Sequence, residues 1–316
     1  MQELNYGGQA VMEGVMMRGQ KSMAVAVRAP NGKIIVHSEP LNPAIYGSWV
    51  VKVPFVRGTT MLWDTLVLGI RTLMFSAEIA IQGEGQSAPT ENTSGSPESA
   101  FTAPLAWGSV ALSLAIALGL FFVLPALLAK WADQYIASAL LSNLVEGLIR
   151  LAFVLAYIWG VGFLPDIRRV FAYHGAEHKT VHAYEHGKSL TVEAVRSYTT
   201  AHERCGTSFI LVVVVISVLI FAVLGQPSLL VRVASRIVLI PVIVGISYEW
   251  LKFAARFGQS WWMRVLLYPG LLMQRLTTRE PDDDMIEVAI AALGRVLQED
   301  GQPMPGGDAV AAMSAG

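Results

Sequence analysis

The chain has one cysteine, Cys205, so no internal disulfide can form and nothing marks an exported, disulfide-stapled fold. Charge is scarce too: Asp, Glu, Lys and Arg make up 15% of the residues, and the two signs nearly cancel at −1. With no basic arm and no excess of positive charge, the composition offers nothing to a phosphate backbone, and no nucleic-acid partner is expected. Residues 1–20 hold no apolar core of a cleaved signal, so the N-terminus reads as retained and cytoplasmic. What dominates instead is apolar surface, at 53% of the residues and a mean hydropathy of +0.49.

That apolar content is clustered. Residues 99–129 carry no charge at all, a longer stretch than the roughly 20 residues a membrane helix needs. Gly206 to Val231 is likewise uncharged. Leu144 to Leu164 is broken only by Glu146 and Arg150, four apart and able to neutralise each other on one helix face. A fourth stretch, near 229–248, is interrupted early by Arg232 and Arg236. Four spans are therefore expected, at 104–128, 143–164, 207–225 and 229–248. The remaining segments, 1–103, 165–206 and 249–316, hold nearly all the Lys and Arg, which places both termini and the 165–206 loop on the cytoplasmic side. The expected fold class is a mainly α-helical integral membrane protein of the inner membrane, with about four transmembrane helices and a small β-rich N-terminal cytoplasmic module.

Composition shifts divide the rest of the chain. Residues 1–58 read as the β-rich module: Met23 to Ala29 alternates, Asn31-Gly32 supplies a hairpin turn, and Ile34 to His37 resumes as β-branched chain. Tyr46 to Val56 is a candidate for a further strand. Residues 59–82 read as a helix with Leu62, Leu66 and Leu73 along one side, but Asp64, Arg71 and Glu78 make it interfacial rather than spanning. Residues 83–103, rich in Gly, Ser, Pro and Glu, read as a flexible linker. In 249–300 an aromatic interfacial segment around Trp261-Trp262 precedes an amphipathic helix opening at Pro281-Asp282-Asp283-Asp284. Residues 301–316 read as a disordered tail.

Four of the six histidines fall between Tyr173 and His186. On a helix, His174, His178 and His182 stack on one face, and Glu177 and Glu185 sit at three-or-four spacing beside them. His174-Gly-Ala-Glu177-His178 also fits the H-x-x-E-H order in which two histidines hold zinc and the glutamate is the general base. A catalytic zinc takes three protein ligands and keeps one position open for water. His178 and His182 are the expected core ligands of a divalent metal, with zinc the candidate; His174, Glu185 and His202 are candidates to complete the set, and Glu177 is the candidate base. A helix from 192 to 203, N-capped by Thr191, would return His202 to the cluster. Cys205 reads more readily as a small packing residue. The competing reading gives these imidazoles to water, lipid head groups and neighbouring carboxylates. Among the glycines of residues 5–21, Glu13 and Arg18 are either presented to a site or joined in structural ion pairs.

Three segments together carry a family resemblance: Gly7-Gly-Gln-Ala-Val-Met-Glu-Gly-Val-Met-Met-Arg-Gly19, the run His174 to Glu185, and Thr277-Thr-Arg-Glu-Pro-Asp-Asp283 with Glu287-Val-Ala-Ile. The chain resembles the bacterial YqhQ-like proteins, the domain of unknown function 1385 family, over nearly all of its length apart from the linker and tail. The resemblance implies a polytopic inner-membrane protein, for which a metal-dependent enzyme has been suggested only in general terms. Its motif residues carry over to Glu13, Arg18, His174, Glu177, His178, His182, Glu185 and His202. The leading functional expectation is a divalent-metal site at the cytoplasmic boundary of the bilayer, which could serve a metal-dependent hydrolase. The alternative is a non-enzymatic scaffold or assembly factor, binding a protein partner or a second copy of itself. Transport, the third, would rest on Glu146, Arg150, Arg232 and Arg236.

Overall fold

The computed structural model describes residues 6–46, 49, 53–82, 104–136, 138–202, 205–225, 228–257 and 260–305. The expected linker at 83–103, and residues 306–316 of the expected tail, lie outside these.

Four strands, β1 (Gly7–Val11), β2 (Gly14–Arg18), β3 (Ser22–Arg28) and β4 (Ile34–Pro40), form an antiparallel meander in chain order. The β1–β2 hairpin closes over Met12-Glu13, with Glu13 in the left-handed region at φ 51°, and Gly32 makes the β3–β4 turn at φ 83°. Period-two alternation sends Met16, Met23, Val25 and Val27 to one face, against Phe75 and Ile79 of helix α2 (Val56–Gln82). Val15, Met17, Ala24 and Ala26 go to the other face. There they meet α6 (Pro165–Glu185) and α12 (Asp283–Asp300). Both sheet faces are thus covered, which is why β3 is buried from Ser22 to Val27.

The candidate strand at Tyr46–Val56 is not formed where it is described: Pro43–Tyr46 is a helical turn, α1, and residues 53–55 are irregular. Proline suits the first turn of a helix and cannot donate to a sheet ladder, so Pro43 and Pro54 both work against the strand. Helix α12 buries Ile286, Val288, Ala289, Leu293, Val296 and Leu297 as the centre of the core beside the sheet. At its end Asp300 accepts from Gln20 N, Lys21 N, Ser22 Oγ and Tyr6 Oη, tying the β2–β3 turn to the helix.

Beyond this layer the structure is helical. Helices α3 (Pro104–Leu118) and α4 (Leu124–Ala132) join through a π-helical turn at Gly119–Val123, and α5 spans Ala139–Val161. Residues Gly108–Ala132, at 25 residues, and Ala139–Val161, at 23, are each long and apolar enough to cross a bilayer. Helix α8 (Gly206–Ala222) is apolar but shorter, at 17 residues. The fourth stretch is bent by 45° between α9 (Leu229–Val238) and α10 (Ile240–Phe257), and counts as a third long apolar element if the pair is taken as one. The break falls just before Pro241, which lacks the N–H that would continue the ladder. Helix α11 (Trp261–Thr277) then leads back to α12.

Within the bundle, Arg232 and Arg236 are fully buried. Arg236 donates to both oxygens of Glu146 (3.0 and 2.9 Å) and to Asn143 Oδ1 (2.7 Å). Arg232 donates to Asp133 (2.9 Å) and Ser142 (2.7 Å), and its Nε lies 3.1 Å from Glu146. Arg150 donates to Glu146 (2.8 Å) and to the carbonyl of Phe121 in the π-helical turn (3.0 Å).

Candidate metal centre

Helix α6 begins at Pro165, which needs no N–H in the first turn, and stops at Gly187 in the left-handed conformation (φ 64°). Gly175 allows its close packing, since a Cβ there would lie 2.1 Å from the carbonyl of Arg279; Gly8 allows β1 to lie close on β2, where a Cβ would be 2.0 Å from the carbonyl of Met16. Gly8 N donates to Glu177 Oε1 at 2.8 Å, so the first strand holds the glutamate of the histidine helix.

The helix expected over 192–203 ends early: α7 covers only Val192–Arg196. Ser197 turns its hydroxyl onto the Ala194 carbonyl, and the hydroxylated and β-branched residues after it favour extended chain. This has a direct consequence for the site, because the extended segment lays the carbonyls of Thr200 and Ala201 across α6. Gln274 of α11 fixes that segment by accepting from His202 N (2.8 Å) and donating to His202 O (2.8 Å) and Ser208 Oγ (2.9 Å).

A carbonyl oxygen can only accept, so each imidazole facing one must carry its proton there. His174 Nδ1 donates to Thr277 O (2.9 Å), His178 Nδ1 to Thr200 O (2.5 Å) and His182 Nε2 to Ala201 O (2.7 Å). Nε2 is then the ring nitrogen that His174 and His178 turn to the other side. His174 Nε2 meets the thiol of Cys205 at 3.3 Å, and His178 Nε2 lies 3.5 Å from Glu177 Oε2. Glu177 and His178 are both buried, so a carboxylate oxygen and an imidazole nitrogen face each other with little water to separate them. Such a pair is stable only with a proton or a cation between its members. Burial also pushes the His182 pKa below its ordinary value, outweighing the pull of the Ala201 carbonyl.

His174, Glu177, His178, His202 and Cys205 line a cavity of about 60 Å³ together with Tyr6, Gly7, Gly8, Val181 and Gly206, and His182 lies outside it. It has room for a few waters or one small polar group. Two donor sets stand out, His174/His178/Cys205 and His182/Glu185/His202, with one donor atom per residue lying within 4.8 Å of the others in its set. The second set includes a 3.3 Å contact between His202 Nε2 and Glu185 Oε2. His178 and His182, the expected core ligands, therefore belong to different sets. His186 is exposed and bonds back to the His182 carbonyl.

Glu13 and Arg18 lie elsewhere. Glu13 accepts from Arg169 (2.5 and 2.6 Å) and Tyr173 (3.3 Å), pinning α6 to the β1–β2 turn. Arg18 stacks on the Tyr46 ring at 4.7 Å and reaches Met61 in α2. Gln274 and the glutamate-holding amide of Gly8 were not signalled by the sequence. Cys205, which reads from the sequence as a packing residue, stands at the start of α8, where its sulfur accepts from Thr207 N and meets His174 Nε2.

No solved structure matches the chain. An uncharacterised protein, YqhQ of Bacillus subtilis (strain 168), is 34% identical over 297 residues, covering 93% of this chain and 92% of that protein. The family model described as "Protein of unknown function (DUF1385)" matches residues 53–299. The match takes in α6, the Thr200–Cys205 segment and α12, and the chain belongs to the DUF1385 family.

Proposed function

We propose that this is a multi-pass inner-membrane protein with a divalent-metal centre at the cytoplasmic boundary, in which His174, His178 and Cys205 are ligands and Glu177 is the general base of a hydrolytic reaction. The observation that carries this reading is that Nδ1 of both His174 and His178 faces a backbone carbonyl oxygen. The two Nε2 atoms are thereby directed to one cavity with a thiol and a carboxylate. Metal-ligating histidines usually donate their other N–H to a carbonyl or carboxylate in this way. Two imidazoles and a thiolate suit zinc, and three protein ligands leave one position open.

The bound cation supplies a Lewis acid that brings the pKa of water toward neutrality. Glu177 is placed to take the proton: Gly8 N holds Oε1, so Oε2 is presented to the cavity. Thr200 and Thr277 keep the rings oriented, and Gln274 keeps the Thr200 segment in place. The apolar stretches support four spans, with α8 and the bent α9–α10 pair as the third and fourth and with both termini cytoplasmic. Cys205 and Gly206 start α8, so the cavity sits where that span meets the cytoplasmic layer, and the substrate is one borne by the bilayer.

Elemental analysis of full-length protein purified in detergent without chelators tests this, with thermal melts alongside. Wild type should carry a transition metal, and His178→Ala and Cys205→Ala should each lose metal from this set while remaining folded. Metal-free wild type would overturn the reading.

A further inference from the structure

We infer that the chain binds a second divalent cation, held by His182, Glu185 and His202 and separate from the ion at His174, His178 and Cys205. The inference rests on the reading above, that the imidazoles of α6 are ligands, and takes it from one ion to two. His174 and His182 are two turns apart, about 12 Å along the helix axis. A single ion with bonds of about 2 Å brings opposing donors only about 4 Å apart. Rings stacked along one helix face therefore cannot all converge on one ion, and the geometry divides them accordingly. The His174 and His178 rings lie 4.4 Å apart, and the His182 and His202 rings 4.5 Å apart, whereas His178 and His202 are separated by 5.7 Å.

The second set is built as the first is. His182 is oriented by the Ala201 carbonyl, and His202 is oriented through both its backbone groups by Gln274. Glu185 lies one turn from His182 on α6 and brings Oε2 to 3.3 Å from His202 Nε2. A cation there replaces the proton shared by that pair. The chemistry of the two sets differs. Two imidazoles and one carboxylate form a harder set, open to manganese, iron(II) or zinc, whereas the cysteine set favours softer, thiolate-binding metals.

Cobalt(II) separates the two, because only the cysteine set can give a thiolate-to-cobalt charge-transfer absorption. Titration of metal-free full-length protein in detergent should reach two equivalents in wild type, one of them carrying that absorption. Glu185→Gln, nearly identical in shape, should reduce binding to one equivalent and keep the absorption. Cys205→Ser should also bind one equivalent, without it. A wild-type endpoint at one equivalent would overturn the second site while leaving the first in place, and this readout does not depend on any variant folding. Loss of the absorption in Glu185→Gln would mean one shared centre, and would overturn the inference equally. No cobalt binding at all would remove both this inference and the proposed function.

Discussion

The helical bundle and the sheet-containing layer each bury a cluster of ionisable side chains, and the two clusters are opposites. Between α4, α5 and α9, the guanidinium groups of Arg150, Arg232 and Arg236 meet Glu146, Asp133, Ser142 and Asn143, so donors point at acceptors. Between α6 and the Thr200–His202 segment, the Nε2 atom of His178 faces the carboxylate of Glu177 at the wall of a cavity. A cluster that satisfies itself holds helices together and has nothing left to offer a ligand. One whose acceptors converge is incomplete without a cation or a proton. Arg232 and Arg236, the awkward residues of a membrane-span assignment, are on this view the bundle's internal fastening.

The sharpest way to break that comparison is to remove the acceptor shared by the three arginines. Glu146→Ala leaves buried guanidinium groups unmatched and should cost about 3–5 kcal/mol, read as a lowered unfolding midpoint in detergent. Glu185→Gln, in the metal-free protein, should shift the same midpoint far less. Equal losses would erase the distinction between fastening and site. Asp300 sharpens it from within the sheet-containing layer, as a carboxylate there whose donors are Tyr6, Gln20, Lys21 and Ser22. Asp300→Ala should cost about 2–3 kcal/mol and leave metal content unchanged.

Glu177→Gln should act in the reverse direction. In the metal-free protein the new amide can donate to His178 Nε2 and relieve the facing acceptors, so stability should rise, by about 1 kcal/mol. With metal bound, the same change removes the base and should abolish hydrolysis. A metal-free Glu177→Gln protein less stable than wild type would show that a proton already bridges the pair in the absence of metal.

How far these clusters were legible in the sequence depends on how far apart their parts lie in the chain. The β3–β4 hairpin was readable because Asn31-Gly32 is a local turn signal, and α6 because Pro165, Gly187 and the four-residue histidine spacing are all local. The end of α7 was misjudged because a side-chain bond from Ser197 competes with the helix and leaves no trace in the apolar pattern. Gln274 lies 72 residues from the His202 it fixes, and Asp300 lies 278 residues from Ser22, so no spacing rule reaches either. Histidines at four-residue spacing on one helix announce themselves. The carbonyls and amides that orient them come from other elements, and only the fold assembles them.

The smallest expected effect is a pH dependence, and it tests whether the imidazoles are held neutral. Burial lowers the folded-state pKa of His182, so the unfolded chain takes up its proton first, near the ordinary value of about 6.5. Below that pH the unfolded state binds more protons than the folded one, and stability falls with pH until the folded pKa is passed. The His182 contribution is therefore complete above about pH 6.5 and is lost on acidification. Thermal melts of metal-free protein across this range should show a decline that is shallower in His182→Gln, whose amide can still donate to the Ala201 carbonyl. In the bundle, where Glu146 is enclosed by guanidinium groups and no histidine takes part, Glu146→Gln should lower the midpoint by the same amount at either end of the range. A decline in wild type that His182→Gln leaves intact would assign the proton uptake to another group and remove this distinction between the clusters.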